Sequence, residues 1–266
     1  MSLQTQLFTF FWSPPVKASL QRVRLVRRIY DGWRRRHPFD VEHGVDTSGF
    51  VPPDDQAPIA AHMTPYAGSQ PSIVRARLLA LPVRSGYTFV DLGCGKGRPL
   101  IVASEMEFAA VAGVEYSPAL ATVARSNASI IASRFPARPP IAVHVADATN
   151  VEAIAPLIVY YMYHPFDGEL VAALVANIER QLASALQHAF FVYYNPVYGH
   201  LFDESDRFER FDAVTQTYAA QELGFGPDLS DAVVTWQTRP PRATPRPNAS
   251  RKIAVRANGT RAVLVD

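Results

Sequence analysis

A glycine loop between an apolar strand and a helix constrains this chain more than any other feature. The run Phe89-Val90-Asp91-Leu92-Gly93-Cys94-Gly95-Lys96-Gly97-Arg98-Pro99 places glycines at alternate positions. Tyr87 to Val90 are mostly β-branched or aromatic, as a strand requires, and Leu100-Ile101-Val102-Ala103 opens an apolar helix. Pro99 suits the first helical turn, where its missing N–H costs nothing. Gly93, Gly95 and Gly97 carry no Cβ to obstruct a ligand, and loop N–H groups beside a helix N-terminus favour a carboxylate or phosphate. The spacing separates two nucleotide chemistries. A dinucleotide fingerprint reads G-x-G-x-x-G, whereas here the order is G-x-G-x-G and Arg98 stands where the third glycine is required. Asp91 would repel a pyrophosphate and suits a cationic ligand.

The pattern D-L-G-C-G-K-G resembles the first motif of class I S-adenosylmethionine-dependent methyltransferases. The resemblance implies that Asp91, Gly93, Cys94, Gly95 and Gly97 surround the amino-acid end of that cofactor, with Cys94 a small packed residue and no nucleophile. Val111-Ala112-Gly113-Val114-Glu115-Tyr116 reads as a second strand, followed by Ser117 as N-cap and Pro118 as first helical residue. A carboxylate there, at Glu115, can accept both hydroxyls of a ribose; a solvated strand-end Glu is the plain alternative. Ile141 to Ala148 reads as a third strand reaching Asp147, and the resemblance implies that Asp147 and the Ala148 backbone meet the adenine edge. The strands converge on one crevice.

Leu157 to Tyr163 form a continuous apolar run, as in a central parallel strand covered on both faces. Tyr163-His164-Pro165-Phe166 then sits where the family places its substrate-facing Asn-Pro-Pro-Tyr or Asn-Pro-Phe motif. His164 replaces the Asn and cannot present the same amide oxygen, so it is either a catalytic or substrate-binding group or a satisfied loop histidine. Asn195, at the end of Ala189 to Tyr194, could supply the amide or could simply form the turn before Pro196. Strand-end tyrosines such as Tyr163 and Tyr116 can cover the adenine or the substrate. Gly44-Val45-Asp46-Thr47-Ser48-Gly49 and Thr64-Pro65-Tyr66 resemble the lead-in of a group of bacterial class I methyltransferases and, distantly, of non-SET protein-lysine methyltransferases. This implies that Tyr66 covers the cofactor and that a protein amine is the methyl acceptor.

The pattern predicts helices over Ser72–Leu81, Pro99–Phe108, Ser117–Arg134, Gly168–Gln187 and Ser205–Leu223, and a late strand over Ala232–Thr238. An exposed loop then runs over Arg239–Arg251, and a hairpin turns around Asn258-Gly259. The expected fold is α/β, a doubly wound Rossmann-like sheet of seven mostly parallel strands with helices on both faces. We divide the chain into a basic helical arm (1–38), a loop-rich cap with a lead-in helix (39–82) and the cofactor-binding domain (83–266). Up to Arg36 there are eight basic residues against Asp31 alone, so the arm carries +7 while the whole chain is +2. Such an arm suits an anionic membrane surface or an acidic partner more than nucleic acid, or packs back on the domain. With one cysteine and no zinc-type His/Cys spacing, no metal is expected. A cytoplasmic location, peripheral to a membrane through the arm, follows from the same composition. A catalytically silent binding protein of this fold and, less simply, an NAD-dependent oxidoreductase are the competing readings.

Overall fold

The computed structural model describes residues 36–53, 59–226, 228–257 and 259–266. Most of the basic arm, and Asn258 of the expected hairpin turn, lie outside these residues. The sheet is built from β3 (Thr88–Leu92), β4 (Ala110–Glu115), β5 (Ile141–Val145), β6 (Leu157–Tyr163), β7 (His188–Tyr194), β8 (Phe208–Thr217) and β9 (Ser230–Thr238). Its order is β5-β4-β3-β6-β7-β9-β8. The pairs from β5 through to β7 are parallel, while β9 runs antiparallel to both β7 and β8. The chain moves outward from β3 to β5 and then returns to β6, so the reversal opens a crevice at the carboxyl ends of β3 and β6.

Side chains alternate across this sheet with a period of two. Phe89, Tyr161 and Phe190 share a core with residues of α2 (Pro71–Leu79), α3 (Arg98–Ala103) and α4 (Pro118–Arg134). Leu92, Tyr160 and Phe191 share the opposite core with α5 (Gly168–Leu182) and α6 (His200–Asp203). Burial on both faces explains why β6 and β7 read as unbroken apolar runs. A short α1 (Pro38–His43) and a two-stranded pair, β1 (Phe50–Val51) with β2 (Tyr66–Ala67), make up the cap. Phe39 and Val45 of the cap enter the same core as α2 to α4. The terminal hairpin pairs β10 (Lys252–Val255) with β11 (Ala262–Val265) as a separate small sheet. Among the described residues, no helix is long and apolar enough to cross a membrane.

The expected helix over Ser205–Leu223 is instead the edge strand β8. Phe208 and Phe211, three positions apart, imitate a helical repeat, but the strand puts them on opposite faces. Phe208 packs edge-on against Phe191 in one core and Phe211 against Phe190 in the other. A bulge between Arg210 and Asp212 then shifts the alternation, so that Ala213 joins Phe208's side. The Arg239–Arg251 segment, expected as an exposed loop, covers this edge. Arg246 N donates to Phe211 O at 2.8 Å, Asn248 Nδ2 donates to Ala213 O at 2.9 Å, and Ala249 is buried. Two helices are also shorter than expected: α3 stops at Ala103 and α5 at Leu182.

Candidate functional site

The carboxyl ends of β3, β4 and β6 open into a cavity of about 630 Å³, a size that suits a nucleoside-sized ligand. Asp91, Gly93, Cys94, Gly95, Glu115, Tyr116, Asp147, Ala148, Tyr163, His164, Asn195 and Tyr66 all line it. Gly97 does not. Its left-handed backbone, φ +83°, turns the chain into α3, and the space its side chain would take lies against Ala124.

The glycine loop spends its N–H groups internally. Gly93 N and Cys94 N both donate to Val114 O at 2.9 Å, Gly97 N donates to Cys94 O at 2.8 Å, and Gly95 N donates to Glu115 Oε2 at 2.7 Å. Four of the loop's N–H groups are therefore not open to an incoming anion. What the site presents is acidic. Asp91 sits in β3 between Gly113 and Tyr161 of the flanking strands, and its Oδ2 is buried with no hydrogen-bond partner among the described residues. Burial pushes its carboxyl well above the usual carboxylate range, and the neighbouring Glu115 charge adds to the shift. Burial raises Glu115 too, opposed by the N–H groups of Ser117, Gly95 and Tyr116. These bonds, 2.9 Å from Ser117 N to Oε1 and 2.7 Å from Gly95 N to Oε2, fix the carboxylate at the end of β4 and leave it lone-pair capacity to spare. Asp147 caps the turn after β5, its Oδ1 accepting from Thr149 N at 2.9 Å and its Oδ2 from Asn150 Nδ2 at 2.8 Å. Cys94 packs against Gly113, where a Cβ would meet its Sγ at 2.7 Å.

Arg98, noticed in the sequence only for displacing a glycine, ties the cap to this loop. Its buried guanidinium donates to Thr47 Oγ1 at 2.7 Å, Thr47 O at 2.9 Å and Ser69 O at 3.0 Å. Lys96 Nζ donates to Ser48 O at 2.8 Å, and Asn127 bridges Asp46 to Lys96. The Gly44–Gly49 segment is thereby laid along the loop, and Tyr66 follows it: its hydroxyl donates to Thr47 O at 2.7 Å and its ring covers Gly95. The cap also reaches the turn after β6. Thr64 Oγ1 donates to His164 O at 2.6 Å, Thr64 N to Pro165 O at 3.0 Å, and Asp167 N to His62 O at 2.8 Å.

His164 adopts a left-handed backbone, φ +40°, which directs its ring toward Tyr193 and Tyr198. Burial, then the Arg261 charge, lowers it to about 4, so it is neutral at pH 7. Asn195 shares the left-handed conformation, φ +56°, but its carboxamide is occupied: Nδ2 donates to Thr260 O at 3.0 Å and Oδ1 accepts from Ala262 N at 2.8 Å. Asn195 thus anchors the terminal hairpin to β7, with a protein partner on each end of its carboxamide. Asn195→Ala is expected to cost about 1–2 kcal/mol through those orphaned backbone groups and to accelerate amide exchange at Ala262, measured by hydrogen–deuterium exchange. Arg261, also missed from sequence, reaches the cavity from this hairpin and donates to Tyr163 Oη at 3.3 Å and Asp231 Oδ1 at 2.9 Å. No local pattern in a short terminal hairpin signals such a role.

No protein-family model matches the chain, and no curated protein does. Solved structures do show likeness. TrmN from Thermus thermophilus aligns with 17% identity and a TM-score of 0.47 over 63% of this chain and 48% of its own. The Pyrococcus abyssi tRNA (uracil-54, C5)-methyltransferase, in complex with S-adenosyl-L-homocysteine, aligns with 16% identity and a TM-score of 0.45 over 63% of this chain and 37% of its own. A Haemonchus contortus phosphoethanolamine N-methyltransferase aligns with 12% identity and a TM-score of 0.46 over 68% of this chain and 45% of its own. The aligned part spans less than half of each of these proteins.

Proposed function

We propose that the chain is an S-adenosylmethionine-dependent methyltransferase, with the cofactor at the ends of β3, β4 and β5 and the acceptor beside His164. The observation that carries this reading is the Asp91 carboxylate, buried in the cavity wall with an oxygen that no group among the described residues satisfies. Such an oxygen calls for a cationic donor, and the amino-acid end of this cofactor offers an ammonium. The residues around it fit the remainder. Glu115 has lone pairs for ribose hydroxyls, Asp147 and Ala148 stand at the adenine side, and Tyr66 walls the loop. A dinucleotide fits poorly, because the loop has few free N–H groups for a pyrophosphate and three carboxylates line the cavity.

When bound, the cofactor supplies a methyl group made electrophilic by its sulfonium. The protein's own part is to orient, to exclude water and to hold charge. Asp91 anchors one end, Glu115 fixes the middle, and the cap, fastened by Arg98 and Thr64, closes over both loop and turn. Calorimetric titration with S-adenosylmethionine should show saturable binding, with none for NADH. Glu115→Gln, which keeps one carbonyl oxygen, should weaken it about tenfold, the value of one charge-assisted hydrogen bond. Binding of NADH alone would sink the proposal.

A further inference from the structure

We propose that the acceptor subsite is built to bind an ionised oxygen, a carboxylate in the simplest case, through donors on His164, Tyr163 and Arg261. This rests on the methyl-transfer reading above and names the class of molecule that receives the methyl group.

The tautomer of His164 is the first step. Its Nδ1 lies 3.2 Å from the hydroxyl of Tyr193. That phenol is buried, and its proton has no other acceptor among the described residues. A buried hydroxyl that gave its proton to nothing would lose a full hydrogen bond. The phenol therefore donates and Nδ1 accepts, so the neutral ring carries its proton on Nε2. In the Asn that the resemblance leads one to expect, the group facing the acceptor is a carbonyl oxygen; here it is an N–H.

The neighbouring groups have the same polarity. Tyr163 receives a hydrogen bond from Arg261 Nη1 at 3.3 Å, which leaves its own O–H to be given. Arg261 has five N–H bonds, more than it uses on Tyr163 and Asp231, and it lines the cavity. Its charge is balanced locally: Asp231 at 2.9 Å and Asp228 at 3.6 Å face it, and Arg256 pairs with Asp228 at 3.2 Å. Recognition therefore falls to directed donors and not to excess charge.

The acceptor atoms of this turn each already hold a protein donor. His164 O receives Thr64 Oγ1, Pro165 O receives Thr64 N, and Asn195 Oδ1 receives Ala262 N. The carboxylates of the cavity, Asp91, Glu115 and Asp147, stand at the ends of β3 to β5. An amine, which must donate its protons, meets beside His164 only oxygens that already hold a protein donor. An ionised oxygen finds three. It also needs no base: its lone pair forms the O–CH3 bond as the C–S bond breaks, the bonding pair stays on sulfur as the neutral thioether, and no proton is transferred. His164, neutral and already protonated at Nε2, is then a binding group and not a proton acceptor. Met63, Ile59 and Phe166 line the same cavity and give the acceptor an apolar wall.

The first measurement needs no cofactor. Nitrogen-15 NMR of histidine-labelled protein should show His164 as the Nε2–H tautomer at pH 7; the Nδ1–H form would overturn the proposal. The second titrates benzoate and benzylamine, a matched pair differing in the sign of the polar group, into protein saturated with S-adenosylhomocysteine. Benzoate should bind at least about tenfold more tightly, the worth of one charge-assisted hydrogen bond. His164→Asn, tolerated at a left-handed position, should reduce that preference, with Tyr163 and Arg261 still in place. Failure of benzoate to bind, or a preference for benzylamine, would reject the oxygen subsite. If S-adenosylhomocysteine itself fails to bind, the methyl-transfer reading falls instead, and the tautomer still reports on the subsite.

Discussion

Asp91→Asn is expected to stabilise the ligand-free protein while weakening its binding of S-adenosylmethionine about thirty- to hundredfold. Both effects come from one buried oxygen without a partner among the described residues. In the empty fold an unsatisfied buried group costs about 1–3 kcal/mol, and the amide removes the ionic part of that cost. For a chain of this size the melting temperature should rise by about 2–4 °C per kcal/mol recovered. In the complex the carboxylate's charge-assisted bond to an ammonium is lost, which sets the expected fall in affinity. The pH dependence has a definite sign. The folded-state pKa of Asp91 is raised above its unfolded value by burial and by Glu115. Below the unfolded value both states are protonated and the group contributes nothing. As pH rises through and beyond that value the unfolded chain ionises first, so the ligand-free fold loses stability toward neutral pH. Asp91→Asn should flatten this decline, and the cofactor should stabilise the natural protein more at pH 7 than at pH 4. Thermal denaturation across that range, with and without S-adenosylmethionine, measures all three. Unchanged affinity in the Asn variant would remove Asp91 from the site.

The sheet was legible where one physical signal dominated. Buried parallel strands leave apolar runs, and β3, β6 and β7 stood out for that reason. The edge strand β8 did not, because its bulge moves Ala213 to the face of Phe208 and leaves Phe208 and Phe211 at a helix-like spacing. The carboxylates Asp91, Glu115 and Asp147 could be placed from strand ends alone. What each carboxylate is bonded to could not, since Gly95 N meets Glu115 and Thr149 meets Asp147 only once the loops are folded. The same limit hid the loop's self-satisfied N–H groups and the fate of the Asn195 amide. Arg98 was visible in the motif, but its partners Thr47 and Ser69 lie far back in the chain, beyond the reach of any local pattern. Arg261 comes from a hairpin whose sequence says only that it is a hairpin.

The cap and the loop meet most closely at Gly95, and a double-mutant cycle there tests whether they act as one unit. A Cβ on Gly95 would lie 2.2 Å from Cε2 and 2.3 Å from Cδ2 of the Tyr66 ring, on a backbone with φ +53°. Gly95→Ala therefore combines overpacking, about 1–3 kcal/mol, with an unfavourable left-handed alanine, about 1–2 kcal/mol. The ring cannot simply swing away, because its hydroxyl is bonded to Thr47 O and Thr47 is held by Arg98. The strain should spread into the Gly44–Gly49 segment and lower both stability and cofactor affinity. Tyr66→Ala alone should cost less stability than Gly95→Ala but still weaken the cofactor, since the wall over the loop is gone. In the double variant the steric part disappears and only the backbone part remains, so the two changes should fall short of additivity by about 1–3 kcal/mol. Chemical denaturation of the four proteins gives that coupling directly. Strict additivity would mean that Tyr66 does not rest on Gly95 in solution, and that the cap is not positioned by the glycine loop.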